Sequence, residues 1–243
     1  MKAMIFAAGL GTRLRPLTNA IPKALVPLKK KPLLHHAIDY LSRFGFNDII
    51  VNVHHFADRI VEYLSDQSFD ASVTISDERD KLLDTGGGLK NAAWFFDDDR
   101  PFLVYNSDVL TNMDLTAFYD YHQQNATIGK LAVRKNHSGR YLRLDDHMSL
   151  AGLGNKKTGF EDKWVTSAGK GNEWGFSGIH LLEPEIFKYM PDEEVFSILD
   201  VYKNAVRQGE SIKGFDHSGS FWMDLGKPEN LAAAEGLYDK VFR

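Results

Sequence analysis

Short apolar runs alternate with amphipathic stretches from residue 2 to residue 133, and nothing else in the sequence narrows the possible folds so far. Residues 2–7, KAMIFA, read as a buried strand running straight into a polar turn that contains Gly9 and Gly11. Leu33, Ala37 and Leu41 recur at spacing four, which predicts a helix from Pro32 to Phe44 ending at Gly45. The β-branched run Ile49, Ile50 and Val51 predicts a second strand, Ala57–Leu64 an amphipathic helix, and Ala71–Ile75 a shorter strand. Gly86–Gly88 interrupt the chain before a helix through Ala92 and Phe95. Phe102, Leu103 and Val104 then form an apolar strand ending at Asn106, Ser107 and Asp108, followed by a helix at Leu115–His122 and a strand at Thr127–Val133. Such alternation predicts an α/β fold: one Rossmann-like, doubly wound domain over residues 1–243, with a mixed, mostly parallel sheet and flanking helices.

The second half is less regular. Tyr141–Leu144 and Leu150–Leu153 read as a hairpin, and the polar stretch from Gly154 to Asn172 as a loop. Trp174–Leu182 resumes a strand pattern, residues 184–190 and 196–207 suggest helices, and Ile212–Phe215 and Ser220–Met223 late strands. A helix over residues 228–240 places Pro228 in its first turn and Leu231, Ala234 and Leu237 on an apolar face. A formal charge of -4 and a pI near 6.1 supply no global field for nucleic acid or an anionic membrane. Lys29, Lys30 and Lys31 read as a solvated turn. The lack of Cys excludes a disulfide framework, a thiol nucleophile and a zinc–thiolate site. The opening MKAMIFAAGLG lacks the apolar segment and cleavage site of a secretory signal, so the expected location is cytoplasmic.

The segment AAGLGTRLRPLT, residues 7–18, concentrates groups suited to phosphate. Gly9 and Gly11 permit a tight turn whose amides can face anionic oxygens, Arg13 adds oriented donors, and Lys23 in PKALVP adds a compact charge. The glycines alone read equally as a structural turn. A dinucleotide-binding loop fits poorly because Leu14 stands where a third small residue belongs, and no GK[ST] follows Gly11 to make a P-loop. Asp108 follows a buried strand and Asp224 follows Trp222–Met223; two carboxylates with triphosphate oxygens meet the needs of a hard Mg²⁺ ion, while a cap, turn or surface role is the alternative for each. Asp114 reads as a helix N-cap and Asp97–Asp99 as a solvated turn. DTGGGLK, residues 84–90, either lets a flat base approach the backbone or makes a flexible turn. The His35–His36 and His54–His55 pairs are poor metal sites, and Ser177 in GFSGIH does not form a nucleophile elbow.

Taken together, AAGLGTRLRPLT, PKALVPL, the strand ending NSD, GFSGIH and WMDLGKPENL resemble the sugar-1-phosphate nucleotidyltransferase family, in the expected order and over nearly the whole chain. DTGGGLK and the chain length look most like the N-acetylmuramate 1-phosphate uridylyltransferase branch, without the hexapeptide-repeat tail of some bifunctional relatives, and imply a role in cell-wall precursor metabolism. The resemblance implies that Ala8, Gly9, Gly11, Thr12, Arg13 and Lys23 hold the nucleotide and its phosphates, with Thr85, Gly86 and Gly87 on the base side. It further implies that Asp108 and Asp224 bind Mg²⁺, that Lys23, Arg13, Asp108 and Asp224 form the reaction centre, and that Asn172, Glu173, Ser177 and Gly178 meet the acceptor. Ser107 departs from the glycine common before the metal aspartate. The implied partners are an NTP and a sugar 1-phosphate, with no nucleic acid or membrane, in a monomer or homodimer. Mannose or heptose 1-phosphate with GTP, glucose 1-phosphate with UTP or dTTP, phosphocholine with CTP, and a noncatalytic nucleotide-sugar sensor are the competing readings.

Overall fold

The computed structural model describes residues 1–135, 139–165 and 171–242. In chain order the elements are β1 (Lys2–Phe6), β2 (Pro27–Leu28), β3 (Lys31–Pro32), α1 (Leu33–Arg43), β4 (Asp48–Val53), α2 (Ala57–Asp66), β5 (Ser72–Asp77) and α3 (Asp84–Asn91). They continue with β6 (Phe102–Asn106), β7 (Val109–Thr111), α4 (Leu115–Gln124), β8 (Gly129–Arg134), β9 (Arg140–Leu144), β10 (Leu150–Asn155), β11 (Phe160–Lys163) and β12 (Asn172–Leu182). α5 (Ile198–Arg207), β13 (Ile212–Asp216), β14 (Trp222–Asp224) and α6 (Pro228–Val241) complete the chain. This is the α/β fold with a mixed sheet and flanking helices that the alternation predicts. Among the described residues no helix is long and apolar enough to cross a membrane.

Two compact units divide the chain: Met1–Leu83 with Val104–Met113 and Ser220–Arg243, and Asp84–Leu103 with Asp114–Gly219. In the first unit the strand order is β6, β1, β4, β5, with β1–β4 and β4–β5 parallel. β1 and β4 are buried almost throughout, which is why they read as unbroken apolar runs rather than alternating ones. α1 covers its apolar stripe with Leu34, Ile38 and Leu41 fully buried. A cluster of Leu14, Val26, Leu28, Leu33, Leu110, Leu225 and Ala234 forms beside this sheet segment, flanked by Ile21, Phe221, Met223, Leu231, Tyr238 and Phe242. Each fully buried leucine or valine of the cluster contributes roughly 1.5–3 kcal/mol of gross stabilisation. On α6 the expected apolar face is corrected at one position: Leu237 is exposed, and its neighbour Tyr238 packs against the cluster instead.

In the second unit β11, β10, β9 and β12 run in that order with antiparallel pairings; β8 pairs antiparallel to β12 and parallel to β13. The Gly154–Asn172 stretch is therefore not loop throughout. Residues 160–163 pair with β10 as β11, and residues 166–170 lie outside the described residues. The exposed Phe160 and the charged residues 161–163 hid this strand, because its burial is slight. Asn172 and Glu173 likewise open β12 rather than a loop, paired with Leu144 and Arg143. α4 begins as expected, with Asp114 accepting from the N–H groups of Thr116 and Ala117 at 2.9 and 3.1 Å.

Candidate active site

The first unit assembles its charged groups by anchoring each one next to a core residue. Arg13 precedes Leu14, Lys23 precedes Ala24, Asp108 precedes Val109–Leu110 and Asp224 precedes Leu225, all of these neighbours being buried. The carboxylates meet because β7 and β14 form an antiparallel ribbon in which Asp224 stands opposite Val109. The Leu225 N–H donates to the Asp108 carbonyl at 2.8 Å, and Ser107 N–H donates to the Phe6 carbonyl at 3.2 Å, tying the turn to the end of β1. Tyr105 O–H closes the same turn on the Val109 carbonyl at 2.8 Å. A short β7 between Asp108 and the next helix was not legible in the sequence, and it is the element that brings position 108 to position 224.

Lys23 Nζ donates to Asp108 Oδ2 in a close ion pair, its side chain 17% exposed against 11% for the aspartate. Arg13 reaches both acids, 3.4 Å from Asp224 Oδ2 and 4.0 Å from Asp108 Oδ2, while its own side chain is 54% exposed. Burial pushes the Asp108 carboxyl above the ordinary carboxylate range, with the Lys23 charge pulling it back down and Asp224 adding to the rise. Burial also raises Asp224, but the hydrogen bond with Asp108, the Gly226 N–H and the charges of Arg13 and Lys23 outweigh it and hold Asp224 low.

Gly226 is the residue that the sequence reading missed. Its N–H donates to Asp224 Oδ1 at 2.7 Å. A Cβ there would lie 2.5 Å from Arg13 Nη2, 2.7 Å from Asp224 Oδ1 and 3.0 Å from Asp108 Oδ2, so only glycine leaves the carboxylates and guanidinium room to converge. The signal available was a glycine two residues after an aspartate at a strand end. The glycine loop is built with equal economy of space: Gly11 has φ +64, a Cβ on it would come 2.9 Å from Lys23 Cβ, and its carbonyl accepts from Leu14 N–H and Thr18 O–H. Ala7 and Ala8 are buried, whereas Gly9 and Thr12 are exposed beside Arg13. Ala7 N–H donates to Asn52 Oδ1 at 2.8 Å, and Asn52 donates in turn to Glu78 at 2.8 Å, which fixes the loop's entry to the carboxyl ends of β4 and β5. Burial raises the Glu78 carboxyl, opposed by that Asn52 hydrogen bond.

Thr85, Gly86, Gly87 and the acceptor residues lie in the second unit. The DTGGGLK segment forms α3 itself instead of a turn before a helix. Gly86 and Gly87 donate their N–H groups to the Phe196 carbonyl at 2.9 and 3.2 Å, and Thr85 Oγ1 accepts from Ile198 N–H at 3.0 Å. Two amides of this segment are thus engaged at the approach to α5. Asn172 is exposed and donates to Asp146 at 3.4 Å; Glu173 is half-buried and pairs with Lys156 at 2.5 Å. Ser177 and Gly178 are buried, with Ser177 Oγ 2.6 Å from His217 Nε2.

Among the described residues no group of three or more His, Asp or Glu side chains converges on one point. Asp108 and Asp224 alone offer hard oxygen ligands, so a divalent ion held there would need further oxygens from a bound phosphate chain. The two carboxylates that meet beside Gly226, each paired with a cation of the same turn, are the donor set that would hold such an ion.

The family model described as nucleotidyl transferase matches residues 2–240. An N-acetylmuramate alpha-1-phosphate uridylyltransferase from Caulobacter vibrioides is 34% identical, over 96% of this chain and 95% of its own length. A UTP–glucose-1-phosphate uridylyltransferase from a Synechocystis strain is 30% identical over the whole chain, and a mannose-1-phosphate guanyltransferase from Kluyveromyces lactis 31% identical over 98% of it. The chain spans only 65% and 64% of the length of those two relatives. Among solved structures, HddC from Yersinia pseudotuberculosis shares the fold with a TM-score of 0.78 at 23% identity, covering 98% of this chain and 99% of that one.

Proposed function

This chain belongs to the nucleotidyl transferase family, and from that premise we propose that it joins UTP to N-acetylmuramate 1-phosphate and releases pyrophosphate. The single observation that carries the reaction type is the Lys23–Asp108–Asp224–Arg13 constellation at the mouth of the glycine loop. In this reading a phosphate oxygen of the sugar 1-phosphate attacks the α-phosphorus of the NTP in line, and the bond from that phosphorus to the bridging oxygen of pyrophosphate breaks. The attacking group is already an anion, so no general base is needed. Lys23 and Arg13 leave their carboxylate partners for phosphate oxygens and neutralise the charge that grows on the leaving pyrophosphate. Ala8, Gly9, Gly11 and Thr12 supply the loop backbone along the nucleotide. Asp108 and Asp224 would hold Mg²⁺, which when bound would supply Lewis-acid stabilisation of the phosphate oxygens. Asn172, Glu173, Ser177 and Gly178 serve the acceptor. Any part that Thr85, Gly86 and Gly87 take in reading the base runs through atoms other than the two amides engaged by Phe196.

The choice of muramate over the other sugars rests on the near full-length match to two uridylyltransferases of that specificity, at 34% and 32% identity. The test is incubation of the purified protein with Mg²⁺, the four ribonucleotides plus dTTP, and a panel of sugar 1-phosphates and phosphocholine, with products identified by mass spectrometry. UDP-N-acetylmuramate as the dominant product is expected. Another conjugate keeps the mechanism and replaces the substrates; no conjugate from a folded, nucleotide-binding protein would sink the reading in favour of a sensor.

A further inference from the structure

β12 is irregular at one place. Its pairing with β8 runs through Gly175↔Arg134 and Phe176↔Val133, then resumes at His180↔Leu131. Four steps along β12 match two along β8, so the pairing is irregular across Ser177, Gly178 and Ile179. An insertion of this kind bends a strand and re-aims its side chains, and it is over-represented beside active sites. Gly178 takes φ +72, the left-handed region that favours glycine.

The irregularity is pinned from the neighbouring strand. Ser177 is fully buried, and its hydroxyl lies 2.6 Å from Nε2 of His217, the residue after β13. His217 N–H donates to the Val133 carbonyl at 3.0 Å. Val133 is also the partner of Phe176, the last regular pair before the extra residues. One β8 residue thus fixes both the imidazole and the point where β12 departs from register. His217 is 4% exposed, and its Nδ1 is buried without a hydrogen-bond partner among the described residues. Burial, with Arg134 nearby and Asp216 opposing, pushes the imidazole down to about 4, so it is neutral at physiological pH. A neutral ring accepts at one nitrogen and donates at the other, which makes it a fixed strut for a hydroxyl rather than a charge switch.

We propose that His217 is a positioning residue for the acceptor: through Ser177 it holds the Ser177–Gly178 irregularity in the shape whose backbone meets the hydroxyls of a sugar 1-phosphate. This rests on the acceptor role given above to Ser177 and Gly178. A purely structural histidine would show itself in stability; a positioning one shows itself in the Michaelis constant of one substrate and spares the other.

The experiment is steady-state pyrophosphate release by the wild type, His217→Ala, His217→Gln, Ser177→Ala and the Ser177→Ala/His217→Ala double variant, with UTP and N-acetylmuramate 1-phosphate varied in turn. If the wild type turns over a different pair from the panel, that pair is used. His217→Ala and Ser177→Ala should each raise the acceptor KM about tenfold, the size of one buried hydrogen bond, with the NTP KM within about twofold. The double variant should be no worse than the poorer single variant, and His217→Gln, whose amide reaches the Nε2 position, should recover most of the loss. Equal effects on both KM values, an unchanged acceptor KM, or a glutamine variant that melts like wild type yet is no better than alanine would each overturn the assignment. A wild type that forms no conjugate with any sugar 1-phosphate removes the functional reading before any variant is made, and this inference with it.

Discussion

In the first unit, Lys23, Arg13, Asp108 and Asp224 crowd one turn, each within reach of an opposite charge, with Arg13 open to solvent and Lys23 partly so. In the second, Lys130, His180 and His217 are as buried as any leucine and stand apart from such a cluster. Lys130 Nζ donates to the Asn125 carbonyl at 2.8 Å and to Thr127 Oγ1, over the ring of Tyr121 at 5.6 Å. His180 Nδ1 meets the Tyr202 hydroxyl. Burial, with the Lys213 charge adding to it and Glu183 opposing, drives Lys130 down to about 8, and burial alone drives His180 to about 3, lowering charge rather than storing it. The same residue type therefore means different things in the two places. A lysine paired with a carboxylate at a solvent-facing turn can exchange that carboxylate for a phosphate; a lysine enclosed by a carbonyl, a hydroxyl and an aromatic face has nothing to exchange.

The sharpest way to break this contrast is at Asp108. Asp108→Asn keeps the shape of the site and removes the charge that orders Lys23 and Arg13, so pyrophosphate release should fall by roughly 10²–10³, the scale for losing one preorganised electrostatic group. A loss under tenfold at saturating substrates and Mg²⁺ would place the chemistry elsewhere. Next in size is Gly226→Ala, where the added methyl displaces the Arg13 guanidinium from the two carboxylates. Turnover should drop on the order of tenfold to a hundredfold, with a smaller fall in melting temperature, because the methyl also crowds the carboxylates of Asp224 and the buried Asp108.

The second unit supplies a stability test of the same contrast. Lys130 has a folded pKa of about 8 against 10.5 for the free side chain, so between those values the unfolded chain binds more protons and stability rises with pH. Below pH 8 the lysine is charged in both states and its contribution is flat. Urea midpoints of the wild type should therefore gain on Lys130→Met by roughly 1–3 kcal/mol as pH rises from 7.5 to 10. Parallel profiles for the two proteins would show that the amine is not held in its neutralising pocket. The smallest effect belongs to the exposed Lys29–Asp239 pair, 3.0 Å apart. Asp239→Ala should change stability by less than about 1 kcal/mol, measured in the same urea series, because a solvated ion pair is screened.

Much of residues 2–124 was legible because β1, β4 and β6 are buried almost throughout and α1 and α2 carry regular apolar stripes. β1, β4 and β6, α1, α2 and the Asp114 cap all fall where the apolar pattern and the capping chemistry set them. The failures share a cause. β11 is a strand of mostly charged residues on a little-buried edge, so hydrophobic patterning carried no trace of it. Gly86–Gly88 read as a breaker, yet they sit inside α3 because the Phe196 carbonyl takes the amides at its start. Leu237 and Tyr238 compete for one helix face, and only the cluster around Leu225 decides between them.

The sequence by itself determined the α/β class, the phosphate-suited loop and the identity of the charged groups, since these follow from local pattern and side-chain chemistry within a few residues. Only the tertiary structure decided that Asp108 and Asp224 form one site, that Gly226 is what lets them do so, and that Ser177 is gripped by His217. Those facts depend on register: β7 against β14, and β8 against both β12 and β13. Strand pairing joins residues more than a hundred positions apart through backbone hydrogen bonds that every residue but proline can make, so no local sequence signal specifies which partners meet.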